Sequence, residues 1–249
     1  MKATAPAATR ASMRRVMGIG LVLLACHGCA TVQAPDPRDP LESFNRGVFS
    51  FNEGLDKAVL KPVATVYRDV TPQLVRSGVG NFLGNLDDAW SFVNSLLQFK
   101  LRDAVDNFMR FGVNTTFGLF GVLDVASEMQ IDRHSEDFGQ TLGAWGFGPG
   151  AYLVLPVFGP STFRDTAALP VDFSGDLASR AGDVPTRNSL RALNVIDTRA
   201  SLLGLSSALD DVALDKYSFA RDAFLQRRRN AVYDGNPPDI DPVTGNDIR

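Results

Sequence analysis

The run FGQTLGAWGFGPGAYLVLPVFGPSTF, Phe138 to Phe163, carries no charged residue but six glycines and three prolines. Proline removes a backbone donor and glycine weakens a helix, so the run cannot be one continuous helix. It therefore also lacks the roughly 20 unbroken apolar residues of a membrane-spanning helix. Yet Leu142, Trp145, Phe147, Tyr152, Leu153, Val154, Leu155 and Phe158 must all leave water. Irregular backbone survives at membrane depth only when it is buried in protein or lines a wet cavity. The segment thus fits either a buried loop of an ordinary core or a chain bent around a cavity inside a bilayer.

At 249 residues and 45% hydrophobic content, the chain has material for one sizeable core, and the length favours a single main domain. Its N-terminus reads as an address. Arg14 and Arg15 precede the ten uncharged residues VMGIGLVLLA, Val16 to Ala25, which is signal-peptide length. Cys26 follows at once, with Ala25 at −1 and Leu23 at −3, the pattern of a lipoprotein processing site; Cys29, behind Gly28, is the alternative. Two or three acyl chains, at roughly 0.8 kcal/mol per buried CH2, would hold the protein durably at a bilayer. Neither His27 nor Ala30 is the Asp that retains such a protein at the inner membrane, so the outer membrane is the expected destination. Removing Met1 to Ala25 takes Lys2, Arg10, Arg14 and Arg15 from 25 basic residues and leaves 21 against 28 acidic ones, a net of about −7. That balance argues against nucleic acid as a partner. The basic run Arg227 to Arg229 reads instead as the last turn of a helix.

Residues 26–38 read as a tether, Asp39 to Tyr233 as the folded domain, and Asp234 to Arg249, with three prolines and four aspartates, as a disordered tail. Asp39 reads as an N-cap with Pro40 in the first turn. Leu41, Phe44, Val48, Phe51 and Leu55 then recur at helical spacing, with Glu42, Arg46, Ser50, Glu53 and Asp56 between them. Pro72 opens a run with Leu74, Val75, Val79, Phe82 and Leu83, and Asn85 and Asp87 restart a helix with Trp90, Val93 and Leu97. After Lys100, Leu101, Val105, Phe108 and Phe111 share one side, with Arg102, Asp103, Asp106, Asn107 and Arg110 opposite. Pro185 to Leu203 and Leu214 to Tyr233 supply two more helices. No train of alternating short strands occurs, so the fold class is mainly α, with irregular Gly/Pro-rich apolar segments at Thr115 to Ser127 and Phe138 to Phe163.

Tests for chemistry come back empty. His134 is the only histidine of the expected domain, and it reads as a surface loop residue rather than part of a triad or metal site. GFGPGA, Gly146 to Ala151, formally fits a dinucleotide fingerprint, but Pro156 and Pro160 stand where its helix should run. Asp87-Asp88 and Asp210-Asp211 read as solvated helix starts rather than catalytic dyads. No cofactor and no metal is expected, and the chain is not expected to be an enzyme. Phe outnumbers Tyr plus Trp by 17 to 6, and Phe has no polar atom to satisfy in lipid. Together with the anchor, this favours membrane insertion for the Gly/Pro segment.

Four stretches now carry a resemblance: DPLESFNRGVFSFNEGLDKAVLKPVATVYRD (Asp39 to Asp69), NFLGNLDD (Asn81 to Asp88), FMRFGVNTTFGLFGVLDVAS (Phe108 to Ser127) and EDFGQTLGAWGFGPGAYLVLPVFGPSTFRD (Glu136 to Asp165). Together they resemble the MlaA/VacJ family of outer-membrane lipoproteins. The resemblance implies helices arranged as a ring in the inner leaflet of the outer membrane, around an amphipathic channel. The channel takes phospholipids mislocalised in the outer leaflet and passes them to a soluble periplasmic lipid-carrier protein, and an outer-membrane porin trimer is a further partner. The alternative is a structural, porin-associated lipoprotein without transport activity. The resemblance also implies a channel or gating role for Phe44, Asn45, Phe49, Phe51, Asn52, Phe117, Gly118 and Gly121. It implies a ring-shaping role for Gly139, Gly143, Gly146 and Gly148.

Overall fold

The computed structural model describes residues 36–239, apart from Ala213 and the side chains of residues 209–212. The expected signal peptide, Cys26, Cys29, tether residues 26–35 and tail residues 240–249 lie outside the described residues. The compact unit begins at Arg38.

Helix α1 spans Glu42–Leu55, passes through a π-helical turn, Asp56–Leu60, and continues as α2, Lys61–Val70, with Pro62 in its first turn where its missing donor costs nothing. The expected side-chain cap by Asp39 is not formed. Residue 41 takes the N-cap position, and Asp39 is instead buried, accepting from Asn45 Nδ2 at 2.8 Å and from the Tyr217 hydroxyl. Helix α3, Gln73–Leu97, follows Pro72 without interruption. The restart expected at Asn85 does not occur, because Asn85 and Asp88 are buried inside one long helix rather than exposed at a new beginning. Three residues, Gln98 to Lys100, turn the chain into α4, Leu101–Phe117, and α3 and α4 pack along their length as a helical hairpin.

The periods of these helices are as expected, but their faces are inverted. On α4, Ala104, Asn107, Arg110, Val113 and Asn114 are buried while Leu101, Val105, Phe108 and Phe117 are exposed. On α3, Leu83, Asn85, Asp88, Ser91, Asn94 and Ser95 are buried while Leu74, Val75, Val93, Leu96 and Leu97 are exposed. Across the described residues, 13 apolar residues are buried, six of them alanines, against 18 polar or charged ones, and 38 large apolar residues are exposed. None of the 17 phenylalanines is buried. Moving one large apolar side chain out of water is worth about 1.5–3 kcal/mol, so this distribution is the reverse of what water selects.

After the short helix α5, Val125–Glu128, the Gly/Pro segment takes more regular structure than its composition suggests. It holds α6, Phe138–Ala144, capped by Asp137, then β1, Tyr152–Leu155, antiparallel to β2, Gly159–Thr162, with Tyr152 opposite Thr162 and Leu155 opposite Gly159. Thr162 caps α7, Phe163–Gly175, by accepting from Asp165 N at 3.2 Å. Helices α8, Val184–Ser201, and α10, Lys216–Val232, match the two expected C-terminal helices within two residues, and α9, Leu203–Val212, was not foreseen. Beyond α10, Asp234 pairs with Lys100 Nζ and Gly235 N donates to Asn230 O.

Candidate functional site

Helix α1 is stitched to the hairpin by two asparagines. Asn45 donates from Nδ2 to Tyr152 O at 3.1 Å and accepts from Val154 N at 2.9 Å. Asn52 donates to Leu155 O at 2.9 Å and accepts from Val157 N at 2.8 Å. Their offset of seven positions rises about 10.5 Å along a helix, close to the roughly 10 Å spanned by three strand residues, so both amides reach the strand in register. Each acts as one rung of a neighbouring strand, and Arg38 O adds a third by accepting from Tyr152 N. The open edge of β1 is thereby closed. Phe49, on the same face, packs on Tyr152, Val154 and Tyr217. Phe44 and Phe51 stand on a different face and are 56% and 58% exposed. The five residues of the expected N-terminal gate thus divide into three that bind the hairpin and two that face outward.

The second expected gate lies at the end of α4. Phe117 is 71% exposed, and the chain then folds tightly through Gly118 to Asp124. A Cβ on Gly118 would lie 2.2 Å from Leu123 O, and one on Gly121, whose φ is +95°, 2.7 Å from Asn85. Between them Leu119 and Phe120 also take positive φ while exposing their side chains. The loop is strapped from inside. Arg110 donates two hydrogen bonds of 2.9 Å to Asp124 and another to Ile131 O, and Asn114 donates to Asp124 and accepts from Ala126 N. Asp88, buried beside Arg110 at 3.4 Å, is also paired with Arg133 at 3.0 Å, so it is an internal counter-ion rather than a solvated helix start. Although burial pushes the Asp124 carboxyl up, hydrogen bonds from Ser127, Asn114 and Arg110 bring it down to about 2. Asn85 Oδ1 is buried beside Gly121 without a hydrogen-bond partner among the described residues.

The expected ring-shaping glycines differ in their surroundings. A Cβ on Gly139 would meet Arg228 at 2.4 Å, and one on Gly143 would meet Arg164 and Val232 under 3 Å, so both let α6 approach its neighbours closely. Gly146 turns the chain with φ +93°, whereas Gly148 needs neither positive φ nor close approach. Arg228 bridges Asp137 and Asp165 with four hydrogen bonds as a half-buried clamp, while Arg229 of the same basic run lies in the last helical turn as expected. His134 sits 3.3 Å from Asp106 and 3.7 Å from Asp103. The carboxylates of Asp103, Glu136 and Asp234 converge, but Lys100 Nζ already lies on Glu136 and Asp234, where a cation would otherwise sit.

The MlaA lipoprotein family model matches residues 37–231. The chain belongs to the MlaA lipoprotein family. The intermembrane phospholipid transport system lipoprotein MlaA of Shigella flexneri is 36% identical over 223 residues, covering 85% of each chain. The protein of that name in Haemophilus influenzae is 34% identical, covering 86% of this chain and 89% of its own. An uncharacterized Rickettsia bellii protein is 33% identical, covering 83% and 79%. A chain solved in work on the "structural basis for maintenance of bacterial outer membrane lipid asymmetry" superposes with a TM-score of 0.70 at 35% identity, over 78% of this chain and 98% of its own. The resemblance read from four motifs and the mainly α class both hold.

In this MlaA-family chain the sequence reading missed the residues that fill the interior: Asp39, Asp88, Arg110 and Arg228. The signal was present as a polar stripe. Asn85, Asp88, Ser91 and Ser95 on α3, and Asn107, Arg110 and Asn114 on α4, recur at the same spacings as the apolar residues, so each helix has two regular faces.

Proposed function

We propose that this chain is an outer-membrane lipoprotein, anchored through Cys26 or Cys29 on the periplasmic side, that removes mislocalised phospholipids from the outer leaflet. They pass through an amphipathic channel within a ring of helices to a soluble periplasmic carrier, with an outer-membrane porin trimer as a further partner. No bond is made or broken; the protein supplies a path. The observation that carries this reading is the inverted distribution of side chains, an apolar shell over a polar interior. Such a body is matched to hydrocarbon on its outside and to water or head groups within. No described helix is long and apolar enough to cross a membrane, which is consistent with a body seated at the depth of one leaflet. The names of the relatives, which refer to phospholipid transport and lipid asymmetry, point the same way.

Within this reading, Phe117, Gly118 and Gly121 belong to a loop beside the channel. Asn45, Phe49 and Asn52 position α1 against the hairpin, Phe44 and Phe51 contribute to the outer shell, and Gly139, Gly143, Gly146 and Gly148 bend the ring. The test is to delete the gene and count outer-leaflet phosphatidylethanolamine with a membrane-impermeant amine reagent. Labelling should rise on deletion and return to baseline on complementation; unchanged labelling would remove the proposal.

A further inference from the structure

Among the described residues, six other than glycine hold a positive φ, and four of them are large and apolar: Phe99 at +61°, Leu119 at +53°, Phe120 at +59° and Val157 at +71°. An L side chain is strained in this region, and a β-branched one such as valine is a rare outlier there. Glycine holds five further positive-φ positions, so the fold has the unstrained residue at its disposal and uses it elsewhere. Phe99 ends α3 where Phe99 N donates to Leu96 O and Lys100 N to Ser95 O, a helix end whose left-handed residue is most often glycine. The four side chains do not repay the strain inside the molecule, since each is between 64% and 85% exposed. In water the chain would carry backbone strain and exposed apolar surface at the same positions, with no gain from either.

The turns stand well apart. Phe99 precedes α4 and Leu119 and Phe120 follow it, and the 17 residues of α4 are about 25 Å long. Val157 lies between β1 and β2, with its N–H on Asn52 Oδ1. A local partner would cover one of these turns, whereas a continuous apolar medium covers them all, and Leu101, Val105 and Phe108 keep the exposed face of α4 apolar between the first two. We propose that the turns at Phe99, Leu119–Phe120 and Val157 are inserted into the hydrocarbon of the leaflet, which offsets their backbone strain, and that the α3–α4 hairpin lies along the leaflet rather than across it. One leaflet offers roughly 15 Å of hydrocarbon, half of the bilayer's roughly 30 Å, so a hairpin standing across it would push one of its two apolar ends into water. The inference rests on the membrane seating proposed above and names the parts of the chain that enter.

The test uses the chain from Ala30 onward, which keeps the whole compact unit from Arg38 and carries no acyl group to dominate the affinity, with vesicles of phosphatidylethanolamine and phosphatidylglycerol. Phe99→Gly, Phe120→Gly and Val157→Gly should each keep the fold by circular dichroism, because glycine is unstrained at these φ values, and each should weaken vesicle binding about tenfold. Gln130→Gly relieves a φ of +59° that carries a polar side chain, and it should leave binding unchanged. Nitroxides at positions 99 and 120 of the bound protein should report equal depth, both relaxed more by oxygen than by a water-soluble nickel chelate. Unchanged binding of the three glycine variants, loss of their fold, equal weakening by Gln130→Gly, or a label at either end of α4 in water overturns the proposal. Insertion in a protein whose gene deletion leaves outer-leaflet labelling unchanged would keep this inference and remove the transport reading; labelling that rises on deletion, with vesicle binding indifferent to the glycine variants, would do the reverse.

Discussion

Asn45 and Asn52 stand two turns apart on α1, and each holds one peptide N–H and one C=O on the edge of the β-hairpin. The hairpin needs this partner, because two strands alone are marginal and an open edge invites pairing elsewhere. Asn45→Ala would strand Val154 N, Tyr152 O and one oxygen of the buried Asp39. At about 1–3 kcal/mol for a buried group left unpaired, we expect a loss of roughly 3 kcal/mol for Asn45→Ala and about half that for the less buried Asn52→Ala, measured by urea unfolding in detergent. Equal effects at the two positions would show that burial does not set the cost.

Arg110 is the hub of the polar interior, with Asp88 and Asp124 as counter-ions. Arg110→Met should cost about 3–5 kcal/mol, because it leaves the half-buried Asp124 without its cation and the buried Asp88 with Arg133 alone. Arg110→Lys should rescue little, since one ammonium nitrogen cannot stand both where Nη2 meets Asp124 and where Nη1 meets Ile131 O. Full rescue by lysine would show that charge alone, without geometry, holds the loop.

The Asp124 carboxyl sits at about 2 in the folded chain, below its ordinary value near 4. A depressed carboxylate contributes stability that is present above the unfolded value and is lost as pH falls through the folded one, here between about pH 4 and pH 2. Hydrogen exchange at the Ala126 and Ser127 amides, which are anchored by Asn114 and Asp124, should accelerate relative to the intrinsic rate in that window. Asp124→Asn should abolish the pH response. A wild-type profile that follows the intrinsic rate from pH 5 to pH 2 would contradict this account of the loop.

Gly121→Val should be strongly damaging, combining a positive φ with a Cβ 2.7 Å from Asn85, and Gly148→Ala should be neutral within about 0.5 kcal/mol. Lipid transport and protein level measured together in complemented cells separate a moving part from a folding requirement. If the loop must move, Gly121→Val lowers transport more than protein level; parallel losses would mean that it only destabilises.

Helical period was legible in the sequence wherever apolar residues recurred, as on α4, but the direction of each face was not. Phe108 and Arg110 have equally regular neighbours, and which of them is buried depends on the solvent outside, a property that period does not encode. The same ambiguity made Asn85 and Asp88 look like the exposed start of a helix when they are the buried middle of one. The β-hairpin escaped because YLVL is four residues long and its partner GPST carries a proline and no large apolar side chain, so neither gives the alternation of a longer strand. Asp39 looks like a local cap in the sequence because its true partners, Asn45, Tyr217 and Arg221, are brought together only by the tertiary fold.

The outside of this molecule is built for hydrocarbon. Nitroxide labels at Leu101, Val105 and Phe108, all exposed on α4, test it in phospholipid bilayers by comparing relaxation by oxygen, which concentrates in lipid, with relaxation by a water-soluble nickel chelate. All three should be relaxed strongly by oxygen and weakly by nickel, whereas a label at Asp222, exposed on α10 beside Arg38, should serve as the aqueous reference. Labels on α4 as accessible to nickel as the one at Asp222 would contradict the account.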